Sequence, residues 1–305
     1  MPDIVFFKEV INMRRKKTIA DLIIGIVLSL MALTCLIPIL NAVAISFSDK
    51  TSAALGSVYF SPVNFNISSY IEIFKDSRYF TAFRVSVIRV LLGVTINIGL
   101  SIFMAYPLSK DKDSFRARNI YIWIMVFTML FSGGLVPTFL LIKNLKLMDT
   151  MWALVLPGAV PVFSVIILMN FFKGIPKSLE EAALVDGANP LYILIKIMIP
   201  LAKASIATIT LFAIVAHWNS FFDGKIYINT PAKQPLQTYI QSLTVQISSQ
   251  TMQNMRPEEI LRQLKMSNLT FNSAKAVVSM VPILIIYPLL QKYFVTGLVM
   301  GAVKE

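Results

Sequence analysis

Few side chains of this sequence could carry catalytic or metal chemistry. The chain has one histidine, His217, and one cysteine, Cys35. A single cysteine excludes an intrachain disulfide and a cysteine-rich metal site, and a single histidine excludes a histidine-cluster metal centre. The long uncharged stretches hold no cluster of Asp, Glu, His or Cys that an enzyme embedded in a membrane would need. We therefore expect no metal site and no enzymatic activity. His217 is interpreted as an interfacial residue at the end of an apolar stretch or, alternatively, as a proton relay.

Polar residues of the segment 175–200 have the pattern of a helix, a break and a second helix. Ser178 and Glu181 have capping-box spacing, and Gly187 permits the left-handed turn that ends a helix. The dipeptide Asn189-Pro190 is typical of the N-cap and first position of a second helix. A short exposed helix with small alanines on one side and acids on the other allows close docking of another protein. The alternative is that its acids only cap and solvate a surface helix.

The segment 175–200 must be held in place by the rest of the chain, which consists largely of apolar stretches. The chain is 56% hydrophobic and 14% charged, whereas an average soluble domain carries about 25% charged residues. Because a helix needs roughly 17–25 apolar residues to cross the hydrocarbon, the uncharged runs predict an all-α integral membrane protein with six transmembrane helices. The predicted spans lie at about 21–46, 84–106, 119–142, 150–172, 202–222 and 273–294, within a membrane domain of residues 21–298.

The distribution of Lys and Arg predicts the orientation of these spans. The cluster Arg14–Lys17 precedes the first span, and the basic run 110–118 follows the second. Basic residues favour the cytoplasmic side, so we expect the N-terminal segment 1–20, the segment 175–200 and the tail 299–305 to be cytoplasmic. The loop 223–272 is then outside. The first apolar run is much longer than the 7–15 residues of a signal-peptide core, which favours a retained anchor.

The net charge of +12 is explained by lipid head groups, because basic residues beside the spans face anionic lipid. Nucleic-acid binding is therefore an unnecessary hypothesis. In the outer loop, the apolar spacing of Leu236, Ile240, Leu243 and Ile247 predicts a short amphipathic helix. Within the third span, Gly133-Gly134 either breaks the helix or lets a neighbouring helix approach closely, and the sequence leaves both open.

Several of these residues resemble one family. Glu181-Ala182-Ala183, Asp186-Gly187-Ala188 and the later Ile197 and Pro200 resemble the EAA motif of ABC-importer permeases, in the loop before the penultimate span. Trp218-Asn219-Ser220-Phe221 and the terminal 301–304 look like the carbohydrate-uptake branch of that family. The run Tyr106–Ser109 and the dipeptide Asp223-Gly224 look closest to permeases for oligosaccharides cut from complex polysaccharides.

The resemblance implies a type I ABC-importer permease fold in the bacterial cytoplasmic membrane. It implies a coupling helix in which Glu181 contacts a cytoplasmic ATPase, Ala182 and Ala183 pack closely against it, Asp186 completes the motif, and Gly187 allows the bend. The implied partners are a second homologous permease, two ATPase subunits, which carry ATP and Mg²⁺, and an extracytoplasmic solute-binding protein. The chain has no G-x-x-x-x-G-K-[ST] phosphate loop, so its energy must come from the ATPase.

Small polar residues recur along the predicted spans and could line a saccharide path. Polar groups inside a span usually face the bundle interior or a wet cavity, although they also join helices to one another. Trp218 and Asn219 bring an aromatic ring and an amide together at the end of the fifth span. The candidate path residues are Asn97, Thr128, Ser132, Thr208, Trp218 and Asn219.

Arg84 and Arg89, near one end of the second span, have two interpretations. They could attract an acidic sugar, or they could extend to lipid head groups as arginines near the ends of spans do. The sequence thus predicts the permease subunit of an ATP-driven oligosaccharide importer, with acidic polysaccharide fragments as possible cargo. The alternative is an ion-coupled sugar carrier that acts without an ATPase. Such a carrier would need buried ionisable groups in its spans, and the uncharged runs offer none.

Overall fold

The computed structural model describes residues 19–242 and 268–302, and within these ranges the chain is helical without a β-strand. The α-helices of the described residues are α1 (Ile19–Ser46), α2 (Lys50–Ala54), α3 (Ser68–Lys75), α4 (Ser77–Ser109), α5 (Arg118–Leu130), α6 (Leu135–Asn144), α7 (Trp152–Val155), α8 (Val162–Lys173), α9 (Lys177–Val185), α10 (Pro190–Ile193), α11 (Ile199–Leu201), α12 (Lys203–Asn219), α13 (Phe222–Tyr227), α14 (Leu236–Ser242) and α15 (Asn268–Ala302). The predicted terminal segments fall largely outside the described residues.

Three single helices of the described chain are long and apolar enough to cross a membrane: α1, α4 and the stretch 269–288 of α15. Three further candidates are pairs of helices bent at a short break. The bends are 111° between α5 and α6, 48° between Trp152–Gly158 and α8, and 82° between Pro190–Leu201 and α12. The described residues therefore provide three candidate spans, or up to six if each bent pair is one span. Helices or bent pairs cover each of the six predicted spans.

The breaks lie at residues that disfavour a continuous helix. Gly134 is the N-cap of α6 with φ +82°, a left-handed conformation that suits glycine. Of the two alternatives for Gly133-Gly134, the structure thus has the helix break. Before α8, a single 3₁₀ turn at Leu156–Gly158 is followed by Pro161 as the N-cap. The third break lies at Ala202, whose φ of −89° and ψ of 11° depart from helical values. It follows a π-helix from Leu194 to Met198, a form typical of functional or strained positions.

A core cluster joins α4, α5, α8 and α12 to the segment that contains α10. Buried residues of α4 recur at steps of three and four, so they share one helix face. The buried members of the core cluster are Ala105, Tyr106, Leu108, Met125, Val165, Leu168, Met169, Phe172, Ile193, Leu194, Met198, Ala202 and Ile209. This packing holds the middle of the chain together around α4.

The described residues divide into two compact units, 19–71 with 268–277 and 72–242 with 278–302. In the first unit, the side chain of Asn41 donates to the carbonyls of Val58 and Tyr59, at 3.1 and 2.8 Å. Asp49 caps α2 by accepting from the backbone N–H groups of Thr51 and Ser52. The polar run that follows α1 is therefore folded rather than extended.

In the second unit, Asp149 joins two loops. Its carboxylate accepts from the backbone N–H and the hydroxyl of Thr230, at 2.9 and 2.6 Å, and from Lys233 Nζ at 2.9 Å. These bonds lower the pKa of Asp149 well below its usual range. The predicted amphipathic helix is confirmed as α14 from Leu236 onward, whereas its later positions, 243 and 247, lie outside the described residues.

Candidate functional site

The segment between α8 and α12 starts with the short helix α9, and a proline defines its beginning. Pro176 occupies the N-cap and makes no side-chain capping bond. Ser178 and Glu181 lie inside the helix, so the predicted capping box is wrong. The reason is that Pro176 has φ −55° and ψ 127°, which already sets the chain direction at the helix entry, one position before Lys177.

The end of α9 is a Schellman motif. Gly187 has φ +77°, its N–H donates to Leu184 O at 3.0 Å, and the Ala188 N–H donates to Ala183 O at 2.9 Å. These are the two bonds that define the motif. The predicted left-handed turn at Gly187 is therefore confirmed, and a side chain there would be strained although space around it is open.

The second helix of the segment, α10, begins where the sequence predicts. Asn189 is the N-cap, and its Oδ1 accepts from the Tyr192 N–H at 2.8 Å. Pro190 follows at the first helical position, where its missing N–H leaves no partner unsatisfied. The helix, the left-handed bend and the second helix thus arise from local sequence rules.

Ion pairs attach α9 to the loop that follows α4. Lys110 pairs with Glu180, and Lys177 pairs with Asp111. The Lys110 ammonium also lies 3.9 Å from the centre of the Tyr106 ring. The hydrogen bond and charge of the partner lower the pKa of Asp111 and raise that of Lys177. A cavity of about 310 Å³ lies among these residues.

Glu180 is a residue that sequence reasoning missed. The motif directed attention to Glu181, but Glu180 is the acid that the chain itself uses, with its Oε1 also 3.4 Å from the Tyr106 hydroxyl. A signal was available in the charges. Lys110-Asp111 in one loop and Lys177 with Glu180, three residues apart on one helix, are complementary pairs.

The outward surface of α9 combines acids and apolar side chains. Glu181, Ala182, Asp186 and Gly187 are exposed. Three large apolar side chains share this exposure: Leu179 at 44%, Leu184 at 51% and Val185 at 88%. Ala183 is half-buried and packs on the core cluster, so of the two motif alanines Ala182 is the one available to another chain. We call this exposed set of seven residues the α9 surface.

Asn97, a candidate path residue, is buried between three elements. Its Nδ2 donates to the carbonyls of Gly158 and Ala159, at 2.8 and 3.0 Å, and its Oδ1 lies 2.9 Å from His217 Nε2. Because the amide nitrogen is a donor to carbonyls, Oδ1 is the acceptor and Nε2 carries the proton. Asn97 therefore holds α4 to α12 and to the break before α8, and it does not face a path.

His217 is buried rather than interfacial, so the interfacial interpretation is wrong. Its ring lies against Gly93, and a Cβ built at Gly93 would be 2.4 Å from His217 Nε2. A glycine at this position of α4 is what allows the two helices to approach. This residue pair and the bond to Asn97 explain why an imidazole can be accommodated inside the helix bundle.

Arg89 is buried and paired with an acid of the same chain. Its side chain is 3% exposed, and its guanidinium makes a bidentate pair with Asp223, with Nη1 3.1 Å from Oδ1. Nη1 also donates to Ser220 O at 3.2 Å. Both interpretations of Arg89, attraction of an acidic sugar and extension to lipid, are therefore wrong for this conformation. Arg84, by contrast, is exposed.

The pair of Arg89 and Asp223 also bears on the alternative function, an ion-coupled carrier, which would need buried ionisable groups in its spans. The sequence predicts spans without buried ionisable groups, whereas Arg89 lies buried in α4, a candidate span. An arginine does not release its proton in proteins, and its partner Asp223 is held in a bidentate pair. The pair of Arg89 and Asp223 thus does not supply a titrating relay, whereas His217 and Lys275 are two further ionisable side chains buried in candidate spans.

The remaining candidate path residues differ in how exposed their side chains are. Trp218 is 4% exposed, and its Nε1 donates to Ser279 O at 2.9 Å, whereas the neighbouring Asn219 is exposed. Thr128, Thr208 and Ser132 bond to the backbone of their own helix or turn. The predicted meeting of an aromatic ring and an amide therefore does not involve Trp218. Among the described residues, no group of three or more His, Cys, Asp or Glu could hold a metal ion.

Apolar helices of spanning length, with the exposed helix α9 between two bent pairs of helices, have the architecture of a membrane permease subunit. Residues 97–300 match the family described as the inner membrane component of binding-protein-dependent transport systems. The match covers more than half of the chain. The chain therefore belongs to this family of ABC-transporter permeases, which are non-catalytic membrane subunits, and the resemblance seen in the sequence is confirmed.

Two relatives and one solved structure are similar to this chain over most of its length. The polygalacturonan/rhamnogalacturonan transport system permease protein YtcP of Bacillus subtilis (strain 168) is 38% identical over 289 residues, with 95% of this chain and 99% of YtcP covered. Protein LplC of the same organism is 37% identical, with 88% and 89% covered. A chain in the crystal structure of a bacterial ABC transporter involved in the import of the acidic polysaccharide alginate has a TM-score of 0.79 at 33% identity, with 92% of this chain and 98% of that chain covered.

Proposed function

We propose that this chain is a permease subunit of an ATP-driven importer that takes up oligosaccharides delivered by a solute-binding protein. Family membership supports the permease role, and the names of YtcP and of the alginate transporter support a saccharide cargo. The proposal includes six spans with both termini in the cytoplasm, in the cytoplasmic membrane of a bacterium. The three single and three bent candidate spans and the basic clusters of the sequence support this topology.

The α9 surface supports coupling to an ATPase. An exposed patch that combines Val185, 88% exposed, with Glu181 and Asp186 is unfavourable in water and suits a protein partner. The ion pairs of Lys110 with Glu180 and of Lys177 with Asp111 hold α9 against the loop that follows α4. Movement of the ATPase would then reach α12 through the bend at Gly187. ATP and Mg²⁺ belong to that partner in this proposal.

A second, non-identical permease completes the proposed complex, together with two ATPase subunits and membrane lipid. The family description names a binding protein as part of the transport system. The resemblance of Glu181 to Gly187 to the EAA motif supports the second permease and the ATPases as partners.

Acidic oligosaccharides are the proposed cargo class. Polygalacturonan, rhamnogalacturonan and alginate, named for two of the relatives, are built wholly or partly of uronic acids. Arg89 does not contribute to this preference, because Asp223 neutralises it, and Arg84 remains as an exposed cation. The path residues that stay available to cargo by exposure are Asn219, Thr128 and Ser132.

Uptake by the reconstituted complex with variants of the α9 surface tests the proposal. Glu181→Lys reverses an exposed charge of the motif, and Gly187→Pro cannot adopt the left-handed bend. We expect each to reduce ATP-dependent uptake of a galacturonate trimer at least tenfold and to weaken co-purification of the ATPase. Asp113→Lys, at an exposed acid in the loop after α4, is the matched control and should leave uptake within twofold.

Two results would contradict the proposal. If Glu181→Lys and Gly187→Pro kept both assembly and uptake, α9 would not be the coupling helix. If the purified chain alone moved sugar down an ion gradient without ATP or an ATPase, the ion-coupled carrier would be the correct function.

A further inference from the structure

The turn between α12 and α13 presents the most suitable exposed side chains for a saccharide. Asn219 is exposed, and Phe221 and Phe222 are 39% and 52% exposed. The two phenyl rings are 6.4 Å apart and nearly perpendicular, at 80°. Aromatic faces cover the apolar face of a sugar ring, and a few polar groups fix its orientation through hydrogen bonds. The sequence pointed to Asn219 with Trp218, but the exposed partners are these two phenylalanines.

The ion pair of buried Arg89 with part-buried Asp223 holds this turn in its conformation. The Ser220 carbonyl, between Asn219 and Phe221, accepts from Arg89 Nη1 at 3.2 Å. Asp223, which pairs with Arg89, also accepts from the Ser220 hydroxyl and the Gly224 N–H, both at 2.8 Å. Removing two charges from water is unfavourable unless their hydrogen bonds are satisfied. Arg89 is buried with its Nε unpaired, Asp223 is 23% exposed, and the other hydrogen bonds of this pair lie where the exposed side chains need a fixed backbone.

The turn lies at the opposite end of α12 from the segment with the α9 surface. The 17 residues of α12 extend from Lys203 to Asn219, so the helix is long enough to separate the two ends by about 25 Å at 1.5 Å per residue. Asn97 and His217 join this same helix to α4 near its end. A residue that contacts cargo on the turn would therefore move with α12.

We propose that Asn219, Phe221 and Phe222 contact the saccharide, and that Arg89 with Asp223 is a positioning pair that fixes their turn. This inference deepens the proposed function and depends on it. Arg89 acts through the backbone of Ser220 and does not touch the sugar. The pair would then affect neutral and acidic sugars alike.

The first experiment measures KM for ATP-dependent uptake by the complex in proteoliposomes, with a galacturonate trimer as probe. Phe221→Ala and Phe222→Ala together, and Asn219→Ala, should raise KM about tenfold with a smaller change in maximal rate. Phe103→Ala, at a phenylalanine of α4 that is 61% exposed, and Asn170→Ala, at an exposed asparagine of α8, are the matched controls. If the turn variants behaved like these controls, the turn would contact lipid instead and the inference would be wrong.

The second experiment separates positioning from direct binding by the sign of its effect. Asp223→Asn releases the Arg89 charge. A positioning pair predicts a KM raised about fivefold or more for both the galacturonate trimer and a neutral arabinose trimer. An Arg89 that binds sugar carboxylates predicts a lower KM for the galacturonate trimer alone, which would overturn the inference.

Assembly is checked by co-purification of the ATPase. If Asp223→Asn did not assemble, Ser220→Ala, which removes one bond to the Asp223 carboxylate, should raise KM about twofold for both sugars. An unchanged KM would contradict the positioning role. If the wild-type complex took up no oligosaccharide at all, the proposed function would fail. If the wild-type complex took up the oligosaccharide and the turn variants had an unchanged KM, this inference would be wrong and the proposed function would stand.

Discussion

Gly93 lies where His217 of α12 packs against α4, and its lack of a side chain is a structural requirement. A Cβ at this position would be 2.4 to 2.7 Å from three atoms of the His217 ring. The ring cannot simply turn away, because its Nε2 donates to Asn97. A methyl group at position 93 must therefore displace α12 or break that hydrogen bond.

Gly93→Ala should lower the stability of the complex by about 1–3 kcal/mol, the range typical of overpacking in a well-packed core. The apparent melting temperature in detergent measures this change. Gly99→Ala, in the same helix with open space around its Cβ, is the matched control and should be neutral or slightly stabilising, because alanine favours the helix. Equal melting temperatures for the two variants would contradict the packing described here.

At the scale of residues, predictability from the sequence depends on the distance between partners along the chain. The bend at Gly187 and the cap at Asn189 involve neighbours within five residues, so local rules predict them. The pair of Arg89 and Asp223 joins residues 134 positions apart. Nothing in either local sequence indicates the partner, and an arginine near the end of a span has the same appearance whether it faces lipid, cargo or a buried acid.

Among the elements, α9 depends on charges in another loop for its position. Glu180 and Lys110 are each about three-quarters buried, at 25% and 20% side-chain exposure, whereas Lys177 and Asp111 are mostly exposed. Exposed ion pairs contribute little to stability. The pair of Lys110 with Glu180 is therefore the one expected to orient the helix against the core cluster.

Reversal of one charge in this pair should impair coupling, and reversal of both should restore it. Glu180→Lys or Lys110→Glu alone brings like charges together, and we expect ATP-dependent uptake to fall about fivefold. The double variant recreates an opposite-charge pair and should recover at least half of wild-type uptake. A double variant no better than the single ones would show that the pair does not orient α9.

The sequence locates the helices better than their interruptions. Hydropathy identifies apolar runs in all six regions because bilayer thickness sets their length. It misses the first turns of α4, from Ser77 to Phe83, since those residues are mixed in polarity. Hydropathy also does not predict where a helix bends, because glycine and proline in an apolar run are compatible with a break or with close packing. Tertiary contacts decide between these outcomes.

For the whole molecule, charge distribution predicts orientation. The 28 basic residues exceed the 16 acidic ones. The segment 110–118 after α4 holds four basic residues and two acidic ones. The loop after α13 is more polar than charged. If the basic side faces the cytoplasm, the helix α9 does too, since the ion pairs of Lys177 and Glu180 join it to the segment 110–118.

Cysteine labelling tests this orientation directly, because Cys35 is the single cysteine of the chain and Cys35→Ser gives a cysteine-free background. In that background, Asn229→Cys and Lys112→Cys each add one exposed position. A membrane-impermeant maleimide applied to intact cells should label the cysteine at 229 and leave that at 112 unmodified until the membrane is permeabilised. Labelling of position 112 in intact cells would reverse the proposed topology.

The contact of Gly93 with His217 also restricts how the molecule can move. A slide of α12 along α4 by one helical turn, about 5.4 Å, would place His217 opposite Arg89 or Asn97, where side chains occupy the space that Gly93 leaves free. The two helices therefore have a single register. A displacement of one of these helices carries the other with it, so α4 and α12 move as one body and do not slide past each other.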